Sequence, residues 1–319
     1  DRRQGGDHVF LFSHENGPCL DVSAERAQQN PLVQRLLRRL HNSLILSHTG
    51  DLRSGCFHPA RTVLLPPPVP NVDAVRNKLA VSDPSFDRPR KVFLWFRDYT
   101  TVHSTKSSWQ GIRLMYGVSG SAENMGQEPS LEPCIDSRKI KSASHCERAR
   151  DKCKEAEVAR GRVYSRGVRQ ALAIFLHEFA QVCKTCGDKV MRYSDNVEDI
   201  STRIAEMSDA TFCLSTRGFA DWNVRTYEAM VAGCIPVIVS DDAQLPLSDV
   251  VDWSRISIRI REARVQNIYE VLSRVTAAEV GEMRRSIKAA LLNLTYPHID
   301  KRGLLVRHAE DQLATLLRS

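Results

Sequence analysis

The amino-acid sequence predicts an α/β fold of two domains, and three observations carry that prediction. Residues 212–242, FCLSTRGFADWNVRTYEAMVAGCIPVIVSDD, place an apolar run on either side of a helical pattern, which is the signature of a βαβ crossover. A proline-rich stretch, Val63 to Pro70, separates that region from a shorter strand-and-helix portion before it. The chain has 319 residues, 42% of them hydrophobic, which suits two packed units.

Taken in order, Val9 to Phe12 and Leu44 to Ser47 are predicted strands, with a helix over Pro31 to Leu40 between them. The prolines then form a stiff linker able to hold two domains across a cleft. Val92 to Phe96 opens the second domain as a buried strand, followed by helices over Val168 to Val182 and Ile200 to Met207. The first strand of the βαβ unit ends at Leu214, and Ser215, Thr216, Arg217 and Gly218 form its loop. A helix from Asn223 to Ala232 buries Val224, Tyr227, Met230 and Val231, and Gly233 stops it in the left-handed position that suits glycine. The run Cys234 to Val239 is apolar throughout, as expected of a central parallel strand covered on both faces. Ile256 to Ile260 alternates apolar with polar and is predicted as an edge strand; Leu304 to Leu317 is amphipathic and is expected to pack back across the domain junction. No internal repeat is visible.

Crossovers of this kind bind ligands beyond the carboxyl ends of their strands. The polar residues of the βαβ unit lie in that place. Arg217 and Gly218 follow the first strand, where side-chain and backbone donors can meet a phosphate. Arg225 and Glu228, three apart on one helix face, offer a fixed cation for a diphosphate and a carboxylate for ribose hydroxyls. The competing reading is a surface ion pair on an ordinary helix.

The same segment resembles the signature of the exostosin-type glycosyltransferases. The likeness rests on Cys213-Leu214, Arg217-Gly218, Arg225 with Glu228-Ala229 three positions on, the run Gly233 to Ile238, the pair Asp241-Asp242, and Leu245-Pro246. It extends to GGDHVFLFSHENGPC (5–19), NSLILSHTGD (42–51), CFHPARTVLLPPPVP (56–70), RKVFLWFRD (90–98) and YSRGVRQAL (164–172), about four-fifths of the chain. The stretch between Asp98 and Tyr164, with Cys134, Cys146 and Cys153, departs from the family pattern and is read as an insertion. Residues 5–19 and 42–70 are most similar to the plant and algal xylan-type branch.

The resemblance implies a GT-B-like architecture of two facing Rossmann-like domains, the N-terminal one truncated, since the chain begins at Asp1 just before the Asp7-His8-Val9-Phe10 strand. Residues 1–88 would form the partial acceptor-side domain and linker, 89–285 the donor domain with its insertion at about 99–163, and 286–319 a helical tail. The implied activity is inverting transfer of a sugar from a nucleotide-sugar, expected to be a UDP-sugar, to a growing glycan. Arg217, Gly218 and Arg225 would hold the diphosphate and Glu228 the ribose, with Arg97, Arg166 and Arg169 as further phosphate contacts. No Asp-x-Asp triplet occurs in the sequence, and no metal is expected. His14 and Glu15, after the first strand and before Gly17, are the candidates for the catalytic base; the bland reading of His14 is a loop or sugar hydrogen bond. The alternative function is a non-catalytic exostosin-like subunit of a polysaccharide synthase complex. Homo- or hetero-oligomers with related transferases fit either reading. The implied compartment is the Golgi lumen, with a type II membrane anchor absent from this chain.

Charge and cysteines add context. A formal charge of +7 is spread along the chain, denser at Arg35, Arg38 and Arg39 and from Arg138 to Lys154, with no nucleic-acid motif, so no nucleic-acid partner is expected. Nine cysteines include Cys183-x-x-Cys186, which reads as zinc or redox chemistry only with a second pair at suitable spacing. Structural disulfides in a lumenal compartment explain the count more simply, and Asn293-Leu294-Thr295 is an N-glycosylation pattern that agrees with that compartment. No apolar run reaches the roughly twenty residues of a membrane span.

Overall fold

The computed structural model of the chain describes residue 3 and residues 5–13, 17–19, 29–67, 88–98, 165, 168–169, 171–172, 176, 190–194, 200–218 and 220–294. Two all-parallel sheets organise them. The first has three strands in the order β1 (Val9–Phe12), β2 (Leu44–Ser47) and β3 (Thr62–Leu64). Between β1 and β2 runs helix α1 (Pro31–Arg39). Its start is fixed by Asn30, whose side-chain oxygen accepts from the amides of Leu32 at 3.0 Å and Val33 at 3.3 Å, with Pro31 supplying a preset helical φ. Val33 packs on the disulfide Cys19–Cys56, which ties the loop after β1 to the loop before β3.

The second sheet has five strands in the order β5-β4-β6-β7-β8: β4 (Val92–Arg97), β5 (Val190–Ser194), β6 (Ala210–Thr216), β7 (Ile235–Val239) and β8 (Ile258–Arg259). Helix α2 (Ile200–Met207) precedes β6, α3 (Arg225–Val231) joins β6 to β7, and α4 (Ile268–Ser273) and α5 (Ala277–Leu294) follow β8. Side chains alternate across β4. Leu94 and Phe96 join a large core with Phe212, Leu214, Tyr227, Met230 and Leu291, while Trp95 points into a smaller one with Met207, Ala229, Cys213 and Cys234. Both faces are therefore covered, which is why β7 reads IPVIV and is buried at every position. The disulfide Cys213–Cys234, Cα atoms 5.9 Å apart, links β6 to the entrance of β7 within the smaller core.

The expected strands over residues 9–12 and 44–47 and the helix over 200–207 have the bounds anticipated. Other elements differ. The linker begins later than Val63, because Thr62–Leu64 pairs with β2; the ladder ends when Pro66 and Pro67 remove the next donors. β6 runs on to Thr216, two residues past Leu214. α3 starts at Arg225 rather than Asn223, since the Asn223 side chain accepts from the Arg225 amide at 3.0 Å and so caps the first turn from outside. α3 is buried on every side from Thr226 to Val231, where one buried side was expected. Gly233 has the left-handed φ expected of it, +67°. The predicted edge strand is at the sheet edge but only two residues long. A single helix, α5, crosses the boundary drawn at 285/286; a capping box between Thr276 and Glu279 starts it well before that point. The segments 99–163 and 304–317 lie outside the described residues, as do Cys134, Cys146, Cys153, Cys183 and Cys186. Among the described residues no helix is long and apolar enough to cross a membrane.

The two sheets meet through loops at their carboxyl ends. Residues 48–54, after β2, lie against residues 240–244, after β7. Asp51 bridges Ala243, the Leu52 amide donates to Asp242 O at 3.0 Å, and the Gln244 amide donates to Gly50 O at 2.7 Å. Arg53 pairs with Asp242 across the same contact. Gly50 has to be glycine here, since an added Cβ would lie 2.4 Å from Leu64 Cδ1 and 2.8 Å from Gln244 Cβ.

Candidate nucleotide-sugar site

The carboxyl ends of β4 and β6 carry a connected set of charged side chains. At the end of β4, Arg97 and Asp98 point to different partners. Arg97 Nη2 meets Glu206 Oε1 at 2.9 Å, and Trp95 Nε1 donates to the other oxygen of Glu206 at 2.9 Å. Asp98 Oδ1 receives Arg169 Nη1 at 2.8 Å, and its second oxygen receives the Asn223 amide at 3.2 Å. Arg169 lies in helix, as do Ser165, Val168 and Leu172, and only 3% of it is exposed. Its Nε donates to Thr216 Oγ1 at 3.0 Å and to Arg217 O at 2.9 Å. One planar guanidinium thus ties the end of β4 to the end of β6, a task for which a lysine lacks the fork.

Asn223 closes the loop. Its amide nitrogen also donates to Thr216 O at 2.8 Å, while its oxygen caps Arg225. Ser215 and Thr226 share a hydroxyl hydrogen bond of 2.6 Å beneath it. The start of α3 is therefore fixed to the strand it follows, and Arg225 is presented from a rigid turn.

Arg217 is almost fully enclosed, at 1% exposure, with Nη1 2.5 Å from Asp221 Oδ1 and 3.6 Å from Glu262 Oε1. Its backbone amide donates to Val239 O at 3.3 Å, and the Gly218 amide donates to Ala220 O at 3.0 Å. Both residues expected at the phosphate are thus engaged within the loop itself. Glu228 is likewise 1% exposed, its carboxylate held by Arg203 at 3.0 Å and by Arg225 Nη1 at 3.0 Å. Arg225 is the more open partner, with 15% of its side chain exposed. Its Nε is buried and has no hydrogen-bond partner among the described residues. Arg217 Nε is buried and unsatisfied in the same way, so what sets Arg225 apart is the exposed 15% of its side chain at the carboxyl end of a βαβ crossover, where a guanidinium can meet an anion.

Of the residues expected at the site, the structure brings together Arg97, Arg169, Arg217, Gly218, Arg225 and Glu228 around the ends of β4 and β6. Arg166, His14 and Glu15 lie outside the described residues. Sequence reasoning missed Asp98, Asn223 and Arg203. Asp98 adjoins a residue that was chosen and Asn223 precedes Arg225 by two, so both were within reach; Arg203 sits in a helix with nothing in its surroundings to mark it. Trp222, in the same loop, faces His48 of the first sheet, the ring centroids 6.3 Å apart. A cavity of about 950 Å³ lies elsewhere, between residues 243–259 and α5; Trp253, Arg255 and Glu282 line it and no residue from Arg217 to Glu228 does.

Comparison with known proteins agrees on the kind of chain this is. Residues 1–275 match the family model described as the Exostosin GT47 domain. A probable glucuronoxylan glucuronosyltransferase of Arabidopsis thaliana is 24% identical over 286 residues, 90% of this chain and 46% of that protein. A probable glucuronosyltransferase of Oryza sativa subsp. japonica is 26% identical over 89% of this chain and 50% of its own length. A probable beta-1,4-xylosyltransferase of Arabidopsis thaliana is 23% identical over 91% of this chain and 54% of its own. The chain spans about half the length of the curated relatives it matches. A loose likeness, with a TM-score of 0.44 and 12% identity over 99% of this chain and 70% of the other, is to a UDP-forming trehalose-phosphate synthase from Burkholderia xenovorans. With the family model matched over most of its length, this chain belongs to the exostosin GT47 family.

Proposed function

We propose that the chain forms the catalytic part of an inverting, metal-independent glycosyltransferase of GT-B-like design, which moves a sugar from a UDP-sugar to a glycan hydroxyl. The observation that carries this reading is Arg225, fixed by Asn223 and Glu228 at the end of the βαβ crossover with 15% of its side chain still exposed. A leaving diphosphate needs stabilised negative charge, and a preorganised guanidinium supplies it without a metal. Glu228 holds that cation in place: it is 1% exposed, and its Oε2 is contacted by Arg225 Nη1 at 3.0 Å and by Arg203 Nε at 3.4 Å. Arg169 and Arg97 act from behind, Arg169 by holding the β6 loop in place and Arg97 by anchoring the end of β4 on α2. Arg217 does the same through Asp221 and Glu262, so its electrostatic contribution reaches the diphosphate through the loop it fixes.

The relatives' names favour UDP-xylose or UDP-glucuronic acid as donor and a xylan-like acceptor. The two disulfides among the described residues, one in each sheet region, suit an oxidising compartment such as the Golgi lumen. A donor screen tests the function: UDP release is measured with several UDP-sugars in the presence and absence of xylo-oligosaccharides. Acceptor-dependent release with one donor is the expected result. Millimolar UDP without binding, and no release with any donor, favours the non-catalytic subunit instead.

A further inference from the structure

We infer that His48 removes the proton from the acceptor hydroxyl, an assignment that rests on the glycosyltransferase reading above. It is the first residue after β2, at the carboxyl end of the first sheet. The described histidines other than His48 stand at the opposite end or away from it. His8 precedes β1 and pairs with Asp7, His41 precedes β2 and meets Arg38 O, and His58 lies before β3.

The ring is held in a defined protonation pattern. His48 Nδ1 is 3.0 Å from Leu65 O. A carbonyl only accepts, so Nδ1 carries the hydrogen; in the neutral ring Nε2 then carries the lone pair. The backbone on either side is fixed too. The Thr49 amide donates to Ser47 Oγ at 3.1 Å, and Gly50 is locked against Gln244. On its other side the ring faces Trp222, tilted by 50°, in the loop that carries Arg217 and leads into Arg225. His48 is thus a first-domain imidazole set against the donor-domain loop, which is the relation an acceptor base requires.

The step balances as follows. Nε2 takes the proton from the acceptor O–H as that oxygen bonds to the anomeric carbon of the donor. The bond from that carbon to the diphosphate oxygen breaks, and its electron pair leaves with UDP. His48 is left as imidazolium and later gives its proton to solvent. Half-buried Trp222 supplies an aromatic wall beside the acceptor sugar.

The test compares His48→Ala and His48→Asn with the wild-type chain, measuring UDP affinity by calorimetry and transfer with the donor found active in the screen. An asparagine amide reaches the Nδ1 position and keeps the donor to Leu65 O but has no Nε2. Both variants are expected to lose about 10²–10⁴-fold in transfer with UDP affinity within about twofold of wild type. Added imidazole is expected to restore part of the rate to His48→Ala. Near-wild-type transfer by His48→Asn, with loss in His48→Ala alone, overturns the assignment and leaves His48 a loop anchor. A fall in UDP affinity matching the fall in transfer moves it to donor binding. A wild-type chain that neither binds UDP nor transfers sinks the glycosyltransferase reading itself; one that binds UDP but transfers nothing removes the base alone.

Discussion

Glu228→Gln probes the charge cluster on which the site is built. The wild-type carboxylate is 1% exposed and accepts from two guanidinium groups, Arg203 with 8% of its side chain exposed and Arg225 with 15%. Glutamine keeps the shape and can still accept one hydrogen bond, but it leaves two positive charges converging on a neutral amide. Removing one partner of a buried pair costs about 3–5 kcal/mol. The lower end, about 3 kcal/mol, applies here because Arg225 can turn toward water while Arg203 is enclosed. Arg225→Gln is the control, since it removes the outer cation and leaves Glu228 paired with Arg203. It should cost less than Glu228→Gln, about 1–2 kcal/mol, because the buried carboxylate keeps its pairing with Arg203. Urea unfolding followed by tryptophan fluorescence, without reductant, reads both values. Function should order the two the other way: Arg225→Gln loses UDP affinity more severely than Glu228→Gln, because it removes the cation proposed for the diphosphate. Equal destabilisation by the two variants, or a Glu228→Gln protein within about 0.5 kcal/mol of wild type, would refute the buried-anchor reasoning.

Three further outcomes follow from single positions. Gly50→Ala forces a Cβ to within 2.8 Å of Gln244 Cβ and should cost about 1–3 kcal/mol by overpacking, read as faster hydrogen exchange at the Gln244 amide that donates to Gly50 O. Unchanged exchange there means the contact between the sheets gives way freely. Gly233→Ala puts a side chain at a φ of +67° and should destabilise by about 1–2 kcal/mol; a thermal midpoint equal to wild type contradicts the strain argument. Glu279 is held below the ordinary glutamate value of 4.5, first by the Thr276 amide and then by its hydroxyl, despite a small opposing effect of burial. A depressed folded value gives stability that is present above pH 4.5 and lost as pH falls through that lower value. Thr276→Ala should shallow this acid-side loss in a pH series of unfolding midpoints, and an unchanged slope counts against the capping box.

The parts of the fold that were legible are those set by local pattern. The short apolar run of Leu44–Ser47, the helical spacing of Ile200–Met207 and the glycine after Ala232 are read from a few neighbouring residues. β3 was hidden because its three residues abut prolines, and only the register with β2 shows that the chain pairs before the prolines interrupt it. The site divides in the same way. Arg217, Arg225 and Glu228 stand in one sequence block whose pattern marked them, and the structure places them at the end of one crossover. Their electrostatic roles were not legible, because the counter-ions come from afar: Arg203 reaches Glu228 across 25 positions and Asp98 reaches Arg169 across 71. Arg217 was expected to face a phosphate, yet Glu262, brought in from beyond β8, helps enclose it. Such partners depend on how α2 and the β8 region pack onto the sheet, which no local spacing encodes. His48 was part of a segment noted only as a strand. Its place opposite Trp222 exists only once the two sheets meet.

The central claim is that a nucleotide-sugar sits at the carboxyl ends of β4 and β6, against Arg225. Photolabelling with a 5-azido-uracil analogue of UDP, followed by peptide mapping, locates the nucleotide directly. The account predicts label on peptides that contain Asp98 or residues 215–228, with competition by unmodified UDP and loss of labelling in Arg225→Ala. Label confined to the cavity between residues 243–259 and α5, competed by UDP and indifferent to Arg225→Ala, would contradict it.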